Sequence, residues 1–175
     1  MEFSAPLRKE IHIQKIQKRQ TDTSSKTFEV AENIFSFTSN GMYISMFMIT
    51  PDGVIVIEPV DVAHSEAMLA AIREKTDAPI KYALFSHNHW DHSKGGQVWK
   101  DEGAALVAHE EAAAYMRANP TDDLVVPETT WSGDEFEVTL GDLVVELHYL
   151  GLSHGNGMTT FVLPKQKVHC GLIMI

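Results

Sequence analysis

Cysteine is almost absent from this sequence, since Cys170 is the only thiol among 175 residues and no disulfide can form within the chain. Such sparse cysteine use is typical of a protein from a reducing compartment. Residues 1–20 lack the continuous apolar core of a secretory signal, and no apolar run approaches the ~20 residues of a membrane helix. We therefore predict a cytoplasmic protein that does not bind membranes.

Basic residues are also few, because 14 Lys and Arg face 24 Asp and Glu and leave a formal net charge of -10. An acidic surface repels the phosphate backbone of nucleic acids, so we expect no nucleic-acid partner and favour a small-molecule substrate. The hydrophobic fraction of 44% and the length of 175 residues are those of one folded domain with a real core.

The first residues differ in composition from the rest of the chain. Residues 1–26 are rich in Lys, Arg and Gln and end in a polar stretch, so we predict an N-terminal tail at 1–26 and a domain at 27–175. Apolar stretches predict strands at 34–37, 42–50, 54–57, 80–85, 104–108, 135–140, 143–150, 158–163 and 167–170. Helical spacing predicts helices at 62–76, 95–99 and 109–118, and a loop is expected from 120 to 131.

The chemistry is concentrated at the end of the predicted strand 80–85, where the sequence reads His87-Asn88-His89-Trp90-Asp91-His92. Zinc prefers imidazole nitrogen and accepts carboxylate oxygen, and this segment supplies three histidines and one aspartate. In extended backbone, side chains at i and i+2 point the same way, so His87 and His89 can bind one ion together. Asp91 and His92 lie past the bend and can face a second ion.

A further histidine is needed to complete a site with three protein ligands. His154 is the best candidate, because it leaves a predicted strand and enters the glycine-rich segment 151–157. A backbone of this kind can bring an imidazole close to a distant ligand pair. The other histidines, His12, His64, His109 and His148, have no ligand spacing, and we predict surface or capping roles for them.

The His-x-His-x-Asp-His motif, the later Gly-x-x-His-x-x-Gly loop and the order of elements resemble the metallo-β-lactamase superfamily over about residues 28–170. The resemblance implies an α+β fold, an αββα sandwich of two similar halves with metals at one edge of the sheets. It implies a first metal held by His87, His89 and His154, and a second held by Asp91 and His92. A metal-bound hydroxide, oriented by Asp91 as the catalytic residue, would then attack a carbonyl, sulfur or phosphorus centre.

Glu58 stands at the end of a predicted strand, where the family usually has aspartate. The resemblance therefore suggests that Glu58 steadies a metal ligand, while the plain alternative is a solvated carboxylate at a strand end.

The sequence departs from the family near its end. Ile173 occupies the place of a carboxylate or cysteine ligand, and the family's last histidine has no counterpart. We therefore expect one zinc site and a weak or absent second one, with His169 and Cys170 as alternative ligands nearby. The second half of the sandwich should be incomplete. Either the protein is a shortened natural product, or the open edge is covered by association, for example in a homo-oligomer or with residues 1–26.

These features predict a zinc-dependent hydrolase that acts on a small ester, lactone, thioester, lactam or sulfate ester. The alternative is a truncated, non-catalytic metal-binding or interaction domain that keeps the metal ligands but does not accelerate hydrolysis. A di-iron protein that reduces oxygen or nitric oxide is a third possibility, which the histidine at position 89 disfavours because that branch usually has a carboxylate there.

Overall fold

A computed structural model describes residues 24–171 of the protein. In this range the strands are β1 Lys26–Ala31, β2 Ile34–Thr38, β3 Ser45–Thr50, β4 Gly53–Ile57, β5 Ile80–Leu84, β6 Ala105–His109, β7 Thr129–Trp131, β8 Glu135–Leu140, β9 Leu143–Tyr149, β10 Thr159–Leu163 and β11 Val168–Cys170. The helices are α1 Val62–Arg73, α2 Trp90–Ser93, α3 Gly96–Asp101 and α4 Glu110–Ala118. None of the helices in residues 24–171 is long and apolar enough to cross a membrane.

The larger sheet has seven strands in the order β1 to β7. Its first four strands form an antiparallel meander, and β4, β5, β6 and β7 then run parallel to one another. Parallel neighbours need crossover connections, and α1, α3 and α4 lie in those connections. The carboxyl ends of the four parallel strands therefore meet at one edge of the sheet.

The smaller sheet has four antiparallel strands in the order β11-β10-β9-β8. An inner core lies between the two sheets and includes Ile55, Leu84, Val145 and Phe161. A second core lies between the larger sheet and the helices, to which α1, α3 and α4 contribute Met68, Ile72, Trp99, Ala112 and Met116. Every residue of β4 is buried, as its unbroken apolar run predicted, because both faces of this strand are covered.

The predicted α+β sandwich is confirmed for residues 24–171, in which the second sheet has four strands. The described chain places helices, a seven-stranded sheet and a four-stranded sheet in successive layers. The predicted strands and helices are all present, with bounds that shift by a few residues. The predictions made for residues 1–23 and for Ile173 lie outside the described residues.

Three elements escaped the sequence analysis. Strand β1 begins at Lys26, inside the predicted tail, and forms an exposed sheet edge whose composition KTFEVA has a weak apolar signal. The predicted loop 120–131 ends in the short strand β7, which exists because it pairs with β6. Helix α2 spans only four residues, within the ligand motif, and no hydrophobic period can reveal so short a helix.

Candidate metal centre

The ligand motif occupies the carboxyl end of β5, where the chain leaves the sheet and turns into α2. Phe85 still donates its amide hydrogen to Val107 O, so the sheet geometry continues to the residue before the motif. His87 is completely buried, Asn88 is buried, and His89 lies at the N-terminus of α2 without using its side chain as a cap. The two imidazoles therefore project from a fixed piece of backbone toward the same space.

His87, His89 and His154 come together as the sequence analysis predicted. One ring nitrogen of each lies within 4.8 Å of the others, which is compatible with one shared ion. The ring centroids are 4.6 Å apart for His87 and His89, 4.5 Å for His89 and His154, and 5.3 Å for His87 and His154. A site of three histidines is thus assembled from two distant parts of the chain.

His87 provides the test of whether this cluster suits a metal ion. Its Nδ1 lies 2.7 Å from Ser86 Oγ, which fixes the ring orientation. Its Nε2 is buried and has no hydrogen-bond partner among residues 24–171. Leaving a buried polar atom unpaired costs about 1–3 kcal/mol, so such atoms are rare unless another group satisfies them. An ion among the three rings would satisfy this nitrogen, and the donor set therefore fits a metal.

The protein also keeps these imidazoles in the protonation state that a ligand requires. Burial, followed by the neighbouring His92, His89 and His154, lowers the pKa of His87 to about 3. Burial, and next His154, lowers the pKa of His89 as well. Neutral imidazole is the form that binds metals, so both rings are ready for coordination at neutral pH.

The loop that carries His154 is held against the ligand motif by two contacts. Asn88 Oδ1 accepts a hydrogen bond of 2.6 Å from the backbone N–H of Asn156. A Cβ at Gly155 would lie 2.7 Å from His87 Cδ2 and 2.9 Å from Asn88 Oδ1, so only glycine allows this approach. The glycine-rich sequence therefore has a packing reason, which is to bring His154 close to His87 and His89.

A second group of possible ligand atoms comprises Glu58, His87 and His92. His92 Nδ1 lies 2.5 Å from Glu58 Oε1, and both side chains are buried. This hydrogen bond leaves His92 Nε2 free, 3.7 Å from Asp91 Oδ2. Burial lowers the pKa of His92, but the hydrogen bond with Glu58 and its charge outweigh that effect, and the pKa is raised overall. Glu58 is therefore no solvated carboxylate; it orients the ring of His92.

The segment that holds Glu58 has strained backbone. Glu58 has φ of 69° and Val60 has φ of 61°, and a β-branched residue rarely adopts this conformation. Hydrogen bonds hold the strain in place, since the Glu58 amide donates to Leu84 O and the Val60 amide donates to His92 O. Strain of this kind costs about 1–3 kcal/mol per residue and is concentrated at functional sites. Here it brings the carboxylate of Glu58 to His92.

His64 supports the same segment from helix α1, although a surface or capping role was predicted for it. The prediction is wrong, because the His64 side chain is buried between two serines, with Ser39 Oγ 2.8 Å from Nδ1 and Ser45 Oγ 2.8 Å from Nε2. Ser45 in turn donates to the backbone oxygen of Glu58 at 2.5 Å. The sequence holds no spacing signal for this chain of hydrogen bonds.

Tyr43 is a site residue that the sequence analysis missed. Its hydroxyl donates a hydrogen bond of 3.0 Å to Asp91 Oδ2, and its ring lies edge-on to His92 with centroids 5.1 Å apart. The hydrogen bond to Asp91 raises the pKa of Tyr43, so the phenol remains a donor at neutral pH. Burial raises the pKa of Asp91, but the hydrogen bond from Tyr43 and the charge of His92 outweigh this effect. The pKa of Asp91 is therefore lowered overall, and its carboxyl remains ionised at neutral pH.

Neither of the two alternative ligands joins these groups in the described residues. His169 Nε2 is paired with Thr160 Oγ1, which gives this ring a partner other than a metal. Burial, and then Glu58, raises the pKa of Cys170 to about 12, so its thiol stays protonated at neutral pH. Cys170 is in neither group of possible ligand atoms among the described residues, and its partly buried side chain packs against the inner core.

Comparison with known proteins agrees with this geometry. A family model described as the metallo-beta-lactamase superfamily matches residues 40–168. A metallo-beta-lactamase from Pontibacter korlensis is similar with a TM-score of 0.74 at 20% identity, over 83% of this chain and 69% of that one. The native FEZ-1 metallo-beta-lactamase from Legionella gormanii is similar with a TM-score of 0.65 at 24% identity, over 78% of this chain and 57% of that one.

Another similar protein is named for an activity other than β-lactam hydrolysis. The 2,4-dinitroanisole O-demethylase subunit alpha of Nocardioides sp. strain JS1661 is 29% identical to this chain over 89 residues. These residues make up 51% of this chain and 27% of the relative, so the match spans about a quarter of the length of that protein.

The contact between Glu58 and His92 leads to a first prediction. In Glu58→Gln, the neutral amide no longer holds the imidazole with a charged hydrogen bond, and we expect metal affinity to fall about 10–100-fold. Competition with a chelating dye measures this affinity. The matched control Glu66→Gln, at an exposed position of α1, should bind metal like the wild type. Equal affinities for the two variants would show that Glu58 does not support the site.

The burial of His64 leads to a second prediction, for the metal-free protein. Burial lowers the pKa of His64 in the folded state, although Asp61 opposes this shift. The resulting stabilisation is complete above the unfolded pKa of about 6.5 and is lost as the pH falls through the lowered folded pKa. The free energy of unfolding should therefore decrease below about pH 6.5, and His64→Gln should flatten this dependence.

Urea unfolding at a series of pH values measures the slope. Ser39→Ala is the control, because it removes a hydrogen bond to the imidazole and keeps the titrating ring. It should lower stability at every pH and retain the slope of the wild type. Parallel curves for the wild type and His64→Gln would contradict the prediction.

Proposed function

The chain belongs to the metallo-β-lactamase superfamily, and from this premise we propose that it is a zinc-dependent hydrolase of a small ester, lactone, thioester, lactam or sulfate ester. The observation that carries the proposal is the buried Nε2 of His87, which has no hydrogen-bond partner among the described residues, within a cluster of three imidazoles. Imidazole donors suit zinc, copper, iron and nickel, and zinc is the ion most often held by three histidines in hydrolytic sites.

His87, His89 and His154 would hold the ion, and Asp91 and His92 would contribute to a second one. When bound, such an ion supplies Lewis acidity, which polarises a substrate oxygen and makes water acidic enough to be a nucleophile near neutral pH. Glu58 and His87 have fixed positions in the fold, whereas Asp91 is exposed. The buried His87 is thus the fixed member of the first set of ligands, whereas His89 and His154 are more exposed and Asp91 is open to solvent.

Asp91 is proposed to orient the attacking water. Its lowered pKa keeps it ionised, and an ionised carboxylate accepts a hydrogen bond from water and aligns it for attack. The hydroxyl of Tyr43 occupies Oδ2 of this carboxylate, so Oδ1 is the oxygen left for water or an ion. Tyr43 is therefore a positioning residue that sets the orientation of Asp91.

A second candidate activity is the hydrolysis of an aryl methyl ether. It is favoured by the similarity to the 2,4-dinitroanisole O-demethylase subunit alpha. For this chain, the reaction would add water to the ether, break one C–O bond and release a phenol and methanol. The same residues would orient the water, so the two activities differ in the substrate and not in the site.

The non-catalytic alternative remains open, with the ligands retained as a metal-binding or interaction module. The match to the demethylase subunit covers 27% of that protein, so what is known of a whole relative cannot be transferred to this chain. Association of a second copy at the smaller sheet likewise stays a prediction. Turnover by the metal-loaded protein distinguishes a hydrolase from a binding module.

A third prediction tests the hydrolase directly. Elemental analysis should give close to one zinc per chain, and the loaded protein should hydrolyse at least one of a panel of chromogenic esters, lactones and nitrocefin. His89→Ala removes a ligand and should reduce kcat/KM at least about 100-fold, since loss of an outer partner alone costs about 10–100-fold. His148→Ala, outside the ligand groups, is the control. Intact zinc binding without turnover of any substrate, including anisoles, would favour the binding module.

A fourth prediction concerns Tyr43. Tyr43→Phe removes one hydroxyl from a partly exposed ring, so the fold should be unaffected and kcat should fall about tenfold or more with little change in KM. Steady-state kinetics with excess zinc, together with chelator competition, measure the effect. Tyr115→Phe, exposed on α4, is the matched control. Unchanged kcat and metal affinity in Tyr43→Phe would show that Asp91 needs no such partner.

A further inference from the structure

A cavity of about 860 Å³ opens beside the candidate ligands Asp91, His92 and His154. It lies between the two sheets, where β2 and β3 face β10 and β11. Its volume is in the range of 300–1,000 Å³ found for small-molecule sites. Its position next to the ligand cluster makes it the place where a substrate would reach the site.

The walls of this cavity are mainly apolar. Met46 and Phe161 form buried parts of the wall, and Val30 and Val168 lie on opposing strands. Met42 and Ile44 stand at its mouth, with exposed fractions of 78% and 63%. Large apolar side chains are seldom left so exposed next to a site unless something apolar binds there.

The carboxylates of the cavity include one that is already paired, since His92, which also lines the cavity and has a raised pKa, lies against Glu58. Glu58 and Asp91 line the cavity, and no Lys or Arg does so among the described residues. The two carboxylates would balance the formal charge of a single divalent ion. A substrate with a negative charge of its own would then find no Lys or Arg of the described residues to pair with, and burying an unpaired charge is costly.

Two described lysines outside the cavity lining, Lys94 and Lys165, have other partners or surroundings. Lys94 pairs with Asp123 at 2.8 Å, and its Nζ lies 5.4 Å from the ring centroid of Trp90. Lys165 lines a separate cleft, formed with Glu32 and Asp52. Neither lysine is placed to neutralise an anion in the cavity.

We propose that this site selects uncharged, apolar substrates and discriminates against anions. The inference rests on the proposed function and narrows it: neutral esters, lactones, thioesters and aryl ethers fit the cavity, whereas sulfate esters and carboxylate-bearing lactams do not. The apolar walls bind the organic part of the substrate, and the lack of Lys and Arg in the lining formed by residues 24–171 provides the discrimination.

Two aryl acetates of similar shape test the discrimination with the zinc-loaded full chain. One is meta-(methylsulfonyl)phenyl acetate, which is neutral, and the other is meta-acetoxybenzenesulfonate, which carries one negative charge away from the reacting carbonyl. Each kcat/KM is divided by the rate of hydroxide-catalysed hydrolysis of the same ester, which corrects for intrinsic reactivity. We expect a preference of at least about tenfold for the neutral ester. Equal rates, or a preference for the anion, would overturn the proposal.

Substitutions at the mouth of the cavity test whether the charge of the cavity causes the preference for the neutral ester. Met42→Lys adds one cation at an exposed position, and the preference for the neutral ester should fall about three- to tenfold. Met42→Gln removes the same apolar side chain without adding charge, so it should change both rates alike and retain the ratio. A ratio that is unaffected by Met42→Lys, or that falls equally in Met42→Gln, contradicts the role of charge.

A binding measurement separates this inference from the proposed function. If the loaded protein hydrolyses neither ester, the hydrolase proposal fails for this class, and calorimetry with methyl phenyl sulfone and benzenesulfonate still tests the selectivity. The neutral sulfone should bind at least about tenfold more tightly than the sulfonate. Tighter binding of the sulfonate, or binding of neither, would show that the cavity does not receive an apolar small molecule.

Discussion

The structure of the site depends on one buried atom, the Nε2 of His87, which has no hydrogen-bond partner among the described residues. His87 is enclosed at the end of β5, its Nδ1 is paired with Ser86, and its Nε2 faces His89, His92 and His154. Burial of an unpaired polar atom is unfavourable, and the surrounding imidazoles lower the pKa of this ring further. An ion in this space would give the nitrogen a partner, and metal binding would then stabilise the local fold.

The packing of the surrounding sheets and helices offsets the free energy that is lost by burying this unpaired nitrogen. Four parallel strands with buried apolar faces bring their carboxyl ends to one edge, and the rigid core keeps those ends in place. The strained residues Glu58 and Val60 are stabilised by hydrogen bonds to β5 and to the ligand segment. Strain here positions a carboxylate against His92, which a relaxed strand end would not do.

The site combines the buried imidazole of His87 and the more exposed rings of His89 and His154 with an exposed carboxylate and an apolar cavity. The imidazoles suit a metal ion, Asp91 with Tyr43 suits the orientation of water, and the cavity suits the organic part of a substrate. Membership of the superfamily narrows the chemistry to that of metal-dependent hydrolases and related enzymes, and the fold by itself does not fix the substrate. The charge and shape of the cavity are the local features that bear on substrate choice.

The sequence by itself determined the local part of the site. His87 and His89 are two residues apart at the end of an apolar strand, and the extended backbone alone directs both rings to one side. The same holds for most strands and helices, whose apolar spacing is a local property, whereas β1 and β7 depend on a pairing partner and were missed. The family motif also indicated His154, although only the fold brings it to its partners.

Only the tertiary structure decided which distant side chains complete the site. Glu58 meets His92 across 34 positions, Tyr43 meets Asp91 across 48, and Asn156 meets Asn88 across 68. No periodicity in the sequence encodes these pairs, because each depends on how strands align in the sheet and how a loop folds back. It was equally invisible in the composition that no Lys or Arg of residues 24–171 lines the cavity, since the fold decides where these side chains lie.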